Sequence, residues 1–314
     1  MVYPIAPGQI NLGSDGTIQY SPARYAPDFA LSLYPMMFLS EIANTNFQGT
    51  IRDFGDKVVI RRRPTVVTFR TSKGMKLPVQ KLTGPPVVEL LIDQGVGFNV
   101  ALEKVDEKQS DMNLSTAIMD EAAIQTKIDI ETDFLANIYT SADANNVGAT
   151  AGAKTHSYNI GVAGTPMPGD HINATTYLPR FAAILSEANV SPMGRWCVIP
   201  NWFAFCLGLS DLKNASLTGQ SENVLLTGRL PGKVAGFTLY ETNLYTPATD
   251  AGKQCYPITF GHKDFVTFAN QLNELETIPN PESFGRLLRG QSIYGYEAIV
   301  PAGLGYGWMY QNEA

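Results

Sequence analysis

The side chains able to do chemistry in this 314-residue sequence are few and scattered. Its three histidines, His156, His171 and His262, lie far apart in loop-like contexts. Neither an H-E-x-x-H pair nor a Cys/His ligand spacing is present, so surface histidines are expected and no metal site. Cys197, Cys206 and Cys255 are odd in number and lack metal spacing, which predicts reduced thiols. A G-x-S-x-G nucleophile elbow is missing. Glu121 and Glu131 fall on one helix face, but ten residues of helix separate them by about 15 Å, too far for a glycosidase pair. GLGYG at 303–307 has no helix after it, and Gly228–Gly232 lacks the Lys-Ser/Thr of a phosphate loop; both read as turns. No catalytic residue and no cofactor are expected.

Charge gives a stronger signal. The net charge is −6, yet residues 51–81 hold nine Lys/Arg against Asp53 and Asp56, and residues 106–138 hold eight acids against Lys108 and Lys127. One chain thus carries a basic stretch and an acidic stretch of nearly matched size. The cations Arg61, Arg62, Arg63, Lys73, Lys76 and Lys81 suit either nucleic-acid phosphates or the acidic surface of an identical neighbour. Aromatic interleaving is sparse, with only Phe54 and Phe69, and the chain supplies its own acidic complement. Glu121 and Glu131 are therefore the candidate partners of the cations across an inter-subunit contact.

Elements must position these charges. Hydrophobic residues at 44% and charged ones at 17% describe a globular chain with material for about two domains. A run of 18 apolar residues does not occur, and the N-terminal sequence lacks the pattern of a secretory signal. Residues 1–27 read as an extended arm, and 28–46 as a short helix interrupted by Pro35. Branched runs at 58–60, 65–71 and 87–92, parted by Pro64, Gly74 and Gly84-Pro85-Pro86, predict a hairpin projecting from the body with little of its own chain to dock on. A strand over 95–100 leads into a helix over 106–139. There Leu114, Ala117, Ile124, Ile128, Leu135 and Ile138 recur at steps of three, four or seven, with a second line through Met119, Ala123, Ile130 and Phe134. A Gly/Ala/Asn-rich connection follows. Then come a helix from about 176 to 189, a buried strand at 196–199, a helix at 202–209 that Asn201 could cap, and strands at 237–241 and 256–260. Residues 265–278 fit helix or long strand; 289–300 read as a strand whose simplest partners lie near 90–100, and 304–310 as an aromatic tail.

This order of elements resembles a tailed-bacteriophage major capsid protein of the HK97 fold. The residues that carry it are FGDKVVIRRRP (54–64), ETDFLANI (131–138), GRWCVIPNWFAFCL (194–207), GRLPGKVAGFTLYETN (228–243) and IYGYEAIVP (293–301). The resemblance implies an α+β chain with an N-terminal arm (1–48), an E-loop hairpin (49–92), a P-domain with a spine helix (93–172) and an A-domain (173–261). Residues 262–314 would supply returning P-domain strands and a C-terminal tail. It further implies a non-enzymatic shell subunit that forms pentamers and hexamers around packaged dsDNA, each hairpin lying across a neighbour's P-domain. Assembly would take place in the host bacterial cytoplasm, without a membrane, and the product would be the virion. Only residues 1–48 precede the hairpin, so a separate scaffolding protein is expected, along with a portal and decoration proteins. Some such shells are crosslinked from a hairpin lysine, for which Lys73, Lys76 and Lys81 are available. An encapsulin shell subunit and a nucleic-acid-binding protein using the basic hairpin remain the alternatives.

Overall fold

The computed structural model describes residues 11–12, 18–19, 34–35, 37–46, 57–64, 66–76, 78–81, 86–104, 114–210, 232–281 and 283–312. Most of the expected arm, the Gly84-Pro85 step, the start of the long helix and the Gly228 turn lie outside these residues. Within the arm, β1 (Asn11–Leu12) pairs antiparallel with β2 (Ile18–Gln19). Of the expected helix at 28–46, residues 28–33 and 36 lie outside the described residues, and the described part holds one turn after Pro35, α1 (Leu39–Ile42).

The hairpin is strand only at its base. β3 (Lys57–Arg61) pairs antiparallel with β4 (Val87–Leu91), Arg61 facing Val87. Of the strand expected at 65–71, the described residues 66–71 are not in a ladder, and Pro64 and Pro78 remove a ladder donor from each leg. The legs are instead held by Val67 N–H donating to Gln80 Oε1 at 2.9 Å, and a turn at Lys73–Gly74 puts Gly74 at φ +84°. The base also finds a home on its own chain. Ile60, Leu90 and Ile92 bury against Ala269 and Ile299, which the expectation of a hairpin without intrachain support had missed.

β5 (Gln94–Glu103), β12 (Val266–Pro279) and β13 (Gly285–Ala298) form an antiparallel sheet in the order β12-β13-β5. The expected pairing of 289–300 with 90–100 is therefore present, with Leu288 facing Val100 and Tyr294 facing Gln94. The ambiguous stretch at 265–278 is strand, fixed by thirteen paired positions on β13. α2 (Leu114–Asn137) crosses this sheet. Only its C-terminal part is buried: Ile130, Phe134 and Leu135, followed by Ile138 in a 3-10 turn. Ala123, on the second apolar line, is exposed.

The second sheet runs β6-β14-β11-β7-β9-β8, with β10 on β11. Its strands are β6 (Met167–Gly169), β7 (Arg195–Pro200), β8 (Lys233–Val234), β9 (Phe237–Thr242), β10 (Ala248–Asp250), β11 (Lys253–His262) and β14 (Leu304–Gln311). α3 (Ala174–Glu187) and α4 (Asn201–Leu209) pack on it through Tyr177, Phe181, Phe203 and Leu207. α4 begins at Asn201 itself, with Pro200 as its cap residue, so Asn201 is not a side-chain cap. The aromatic tail is β14, and it pairs with β11 along seven positions. Residues 304–311 therefore complete the sheet built from 173–261 rather than the one that carries α2.

One core joins both sheets. Trp196, Val198, Tyr240 and Tyr245 from the second sheet meet Phe134 of α2 and Ile138 just after it, Tyr294 and Ala298 of β13, and Phe38 and Ile42 around α1. Burying each large apolar side chain contributes about 1.5–3 kcal/mol, so this shared core ties α1, α2 and both sheets into one body.

Candidate functional site

The reactive side chains are structural. Cys197, Cys206 and Cys255 are buried thiols, and burial pushes the Cys197 thiol well above its ordinary range. His156 and His171 are exposed as expected, but His262 is buried. It closes the link between the sheets, with Nε2 2.6 Å from Met193 O and Nδ1 accepting the Asp264 N–H at 3.2 Å. That pairing fits the neutral Nε2–H tautomer. Among the described residues no group of His, Cys, Asp and Glu is arranged to hold a metal ion. In the GLGYG stretch, a methyl on Gly303 would lie 2.0 Å from the Phe265 ring, so the glycine serves close packing and not phosphate binding.

The candidate cations are presented outward. Arg61, Arg63, Lys73, Lys76 and Lys81 are exposed; Arg62 is half-buried, its N–H donating to Pro86 O at 2.9 Å. None of the six is in an ion pair among the described residues, whereas Lys57 on the same hairpin is paired with Glu89 at 2.9 Å. Between the cations stand Val66, Val67, Phe69, Met75 and Val79, all exposed, Val79 to 92%. Apolar residues grouped this way on a thin projection mark a surface that is covered by something else.

The acidic side divides. Glu121 accepts the Tyr34 hydroxyl and Gln125 Nε2, and these bonds, the tyrosine's first, hold its carboxyl below the ordinary range. It stays on the outer surface of α2 with Asp120 and Asp129, and there a neighbour's cation could reach it. Glu131 does not belong to that surface. It is 4% exposed, and its Oε1 accepts the N–H of Phe38 at 2.9 Å and of Leu39 at 3.0 Å, the free donors at the start of α1. The expectation that Glu131 faces a neighbour is corrected: the strap at 34–46 runs over that part of the helix. Asp133 is also turned inward, with Oδ2 accepting the hydroxyls of Tyr294 at 3.1 Å and Tyr296 at 2.9 Å. Sequence reasoning passed over this pair, although two tyrosines two positions apart must share one strand face.

No protein-family model matches the chain, and no curated protein does. Solved structures do match. A chain of Mycobacterium phage Che8 has a TM-score of 0.72 at 20% identity, over 94% of this chain and 97% of that one. The capsid of the cyanophage P-SCSP1u gives 0.69 at 14% identity, over 93% of each chain. The mature capsid of bacteriophage PhiM1 gives 0.66 at 15% identity, over 96% and 95%. This chain has the fold of a phage capsid subunit. The α+β architecture expected from the order of elements is the architecture observed, and an HK97-like fold is consistent with these matches. In this capsid fold both candidate surfaces lie on outlying parts: the cations and exposed apolar residues on the hairpin, the outward carboxylates Asp120, Glu121 and Asp129 on α2. The interior of the capsid fold is filled by the shared core.

Proposed function

We propose that this protein is the repeating subunit of an icosahedral phage head that encloses double-stranded DNA. The observation that carries the reading is the coverage of the match, more than nine-tenths of both chains for each capsid structure named above, with the projecting loop left uncovered. On this reading β3–β4 and its loop are the E-loop, α2 is the spine of the P-domain, and α3, α4 and the second sheet are the A-domain. The loop lies on a neighbour, its cations toward Asp120, Glu121 and Asp129, its apolar residues covered by that neighbour. Exposed ion pairs contribute only about 0–1 kcal/mol each, so they set register while apolar contact supplies most of the association energy. A scaffolding protein and a portal are the partners this reading assigns, with decoration proteins open to it, and the virion is its place. Neither an encapsulin nor a nucleic-acid-binding role is favoured by any observation made on the fold.

The test is reversal of charge at the two fully presented arginines, Arg61→Glu with Arg63→Glu. The variant is expected to remain folded and soluble, because both side chains are exposed, and to yield no shells in negative-stain micrographs of expressed protein. Normal particles from the variant would remove the proposed contact. Absence of particles from the unaltered protein, with scaffolding protein supplied, would remove the shell reading itself.

A further inference from the structure

Phe284 is 91% exposed. It stands between β12 and β13, and the described residues around it are hydrogen-bonded. Asn280 N–H donates to Gly285 O at 3.0 Å, Asn280 Nδ2 to Ser283 Oγ at 2.8 Å, and Lys104 N–H to Phe284 O at 3.1 Å. A phenyl ring on backbone held this way loses little freedom when it docks, which makes it an anchor for a partner.

Further along the same sheet there is a place for such a ring. α2 lies close on the sheet only from Ile130 onward. Ahead of that point a cleft of about 270 Å³ opens between helix and sheet, walled by Phe98, Ala123, Ile130 and Leu275. Gly290 lets the Phe98 ring lie close on the sheet as one wall of the cleft: a methyl there would lie 2.5 Å from that ring and displace it. Ala123 and Leu275 are both exposed at its mouth.

We propose that Phe284 of one copy seats in the Phe98–Ala123–Ile130–Leu275 cleft of a second copy. A chain cannot fill its own cleft. Gly285 faces Glu103 and Gly290 faces Phe98, so tip and cleft are five strand positions apart, about 17 Å. Charge fits the same occupant. Glu103 and Lys104 flank the tip, Glu274 and Lys127 rim the cleft, all four are exposed, and none is in an ion pair among the described residues. One charge of each sign on either side allows two opposite pairs across the contact. Each copy gives one tip and offers one cleft, so the contact can repeat from copy to copy around a ring or shell. The inference rests on the reading of the chain as a shell subunit.

Phe284→Asp keeps a folded subunit, since the side chain touches little of its own chain, and is expected to raise the concentration needed for assembly at least about tenfold. Phe284→Leu restores much of the loss, and Ala123→Trp, which fills the cleft, reproduces it. In particles of the Phe284→Cys, Ala123→Cys double variant, oxidation is expected to give a ladder of linked subunits on a non-reducing gel; the native cysteines are buried. Assembly of Phe284→Asp at the wild-type concentration would overturn the proposal and leave the shell reading intact. So would particles of the double variant without a ladder. A ladder from Phe69→Cys with Ala123→Cys would give the cleft to the projecting loop and equally overturn it. If the wild-type protein makes no particles, the shell reading is what fails.

Discussion

Replacing Glu131 with alanine leaves the Phe38 and Leu39 amides buried without an acceptor, since both donate to the same carboxylate oxygen and Phe38 is fully buried. Orphaning a buried donor costs about 1–3 kcal/mol, so the two together cost roughly 2–6 kcal/mol. In a chain of this size each kcal/mol lowers the melting temperature by about 2–4 °C, and Glu131→Ala is expected to melt roughly 5–20 °C below wild type. Glu131→Gln keeps an acceptor oxygen and is expected to lose much less. The two variants also separate geometry from charge. Burial raises the Glu131 carboxyl above the ordinary value of about 4.5, against the opposing pull of the two N–H bonds. An acid whose pKa is raised on folding binds its proton more tightly in the native state. Its contribution is therefore fully present below the ordinary carboxylate value and is lost as pH rises through the raised one. Wild type should thus lose stability relative to Glu131→Gln across that window, and the difference should be constant above it. Thermal melts of the subunit at a series of pH values measure this. The reasoning is refuted if Glu131→Ala melts with wild type, or if wild type gains on Glu131→Gln as pH rises.

Two further outcomes follow from the packing. Arg195 is buried and donates to Ala182 O, Val190 O and Ser191 O at 2.6–2.9 Å, closing the C-terminal end of α3 without a carboxylate partner, so Arg195→Ala should cost roughly 3–5 kcal/mol by chemical denaturation. Arg195→Lys should recover only part of this, because one ammonium cannot reach all three carbonyls. Gly295→Ala would set a methyl 1.9 Å from Leu91 O, where β13 passes the root of the hairpin, and should cost about 1–3 kcal/mol while raising proteolytic cleavage of the loop.

The elements of the second sheet were legible because each carried its own local signal. Trp196–Ile199 is a short apolar run that becomes a strand with every residue buried, and Phe181 and Leu185 keep a helical step that becomes the inner face of α3. The strand at 65–71 was misjudged for the opposite reason. Its residues have β propensity, but propensity reports fit to a pleated surface, and the prolines on both legs deny it a partner. Glu131 was misplaced by the same limit. A carboxylate interrupting an apolar stripe looks identical in sequence whether it faces water or the unpaired amides of another segment.

What the sequence determined by itself was the order of elements, the separation of charge between hairpin and helix, and the lack of any catalytic constellation. These are properties of composition and short-range period, and the order of elements they mark out is what carried the resemblance to the HK97 fold. What only the tertiary structure decided was where each charged group spends its hydrogen bonds. The strap at 34–46 takes Glu131, Tyr294 and Tyr296 take Asp133, and β14 crosses back to complete the sheet of the preceding segment. Those contacts join residues 93 to 163 positions apart, or strands with the β12–β13 hairpin between them. No local period encodes such pairings, because they are selected by the desolvation of whole surfaces against one another when the core closes.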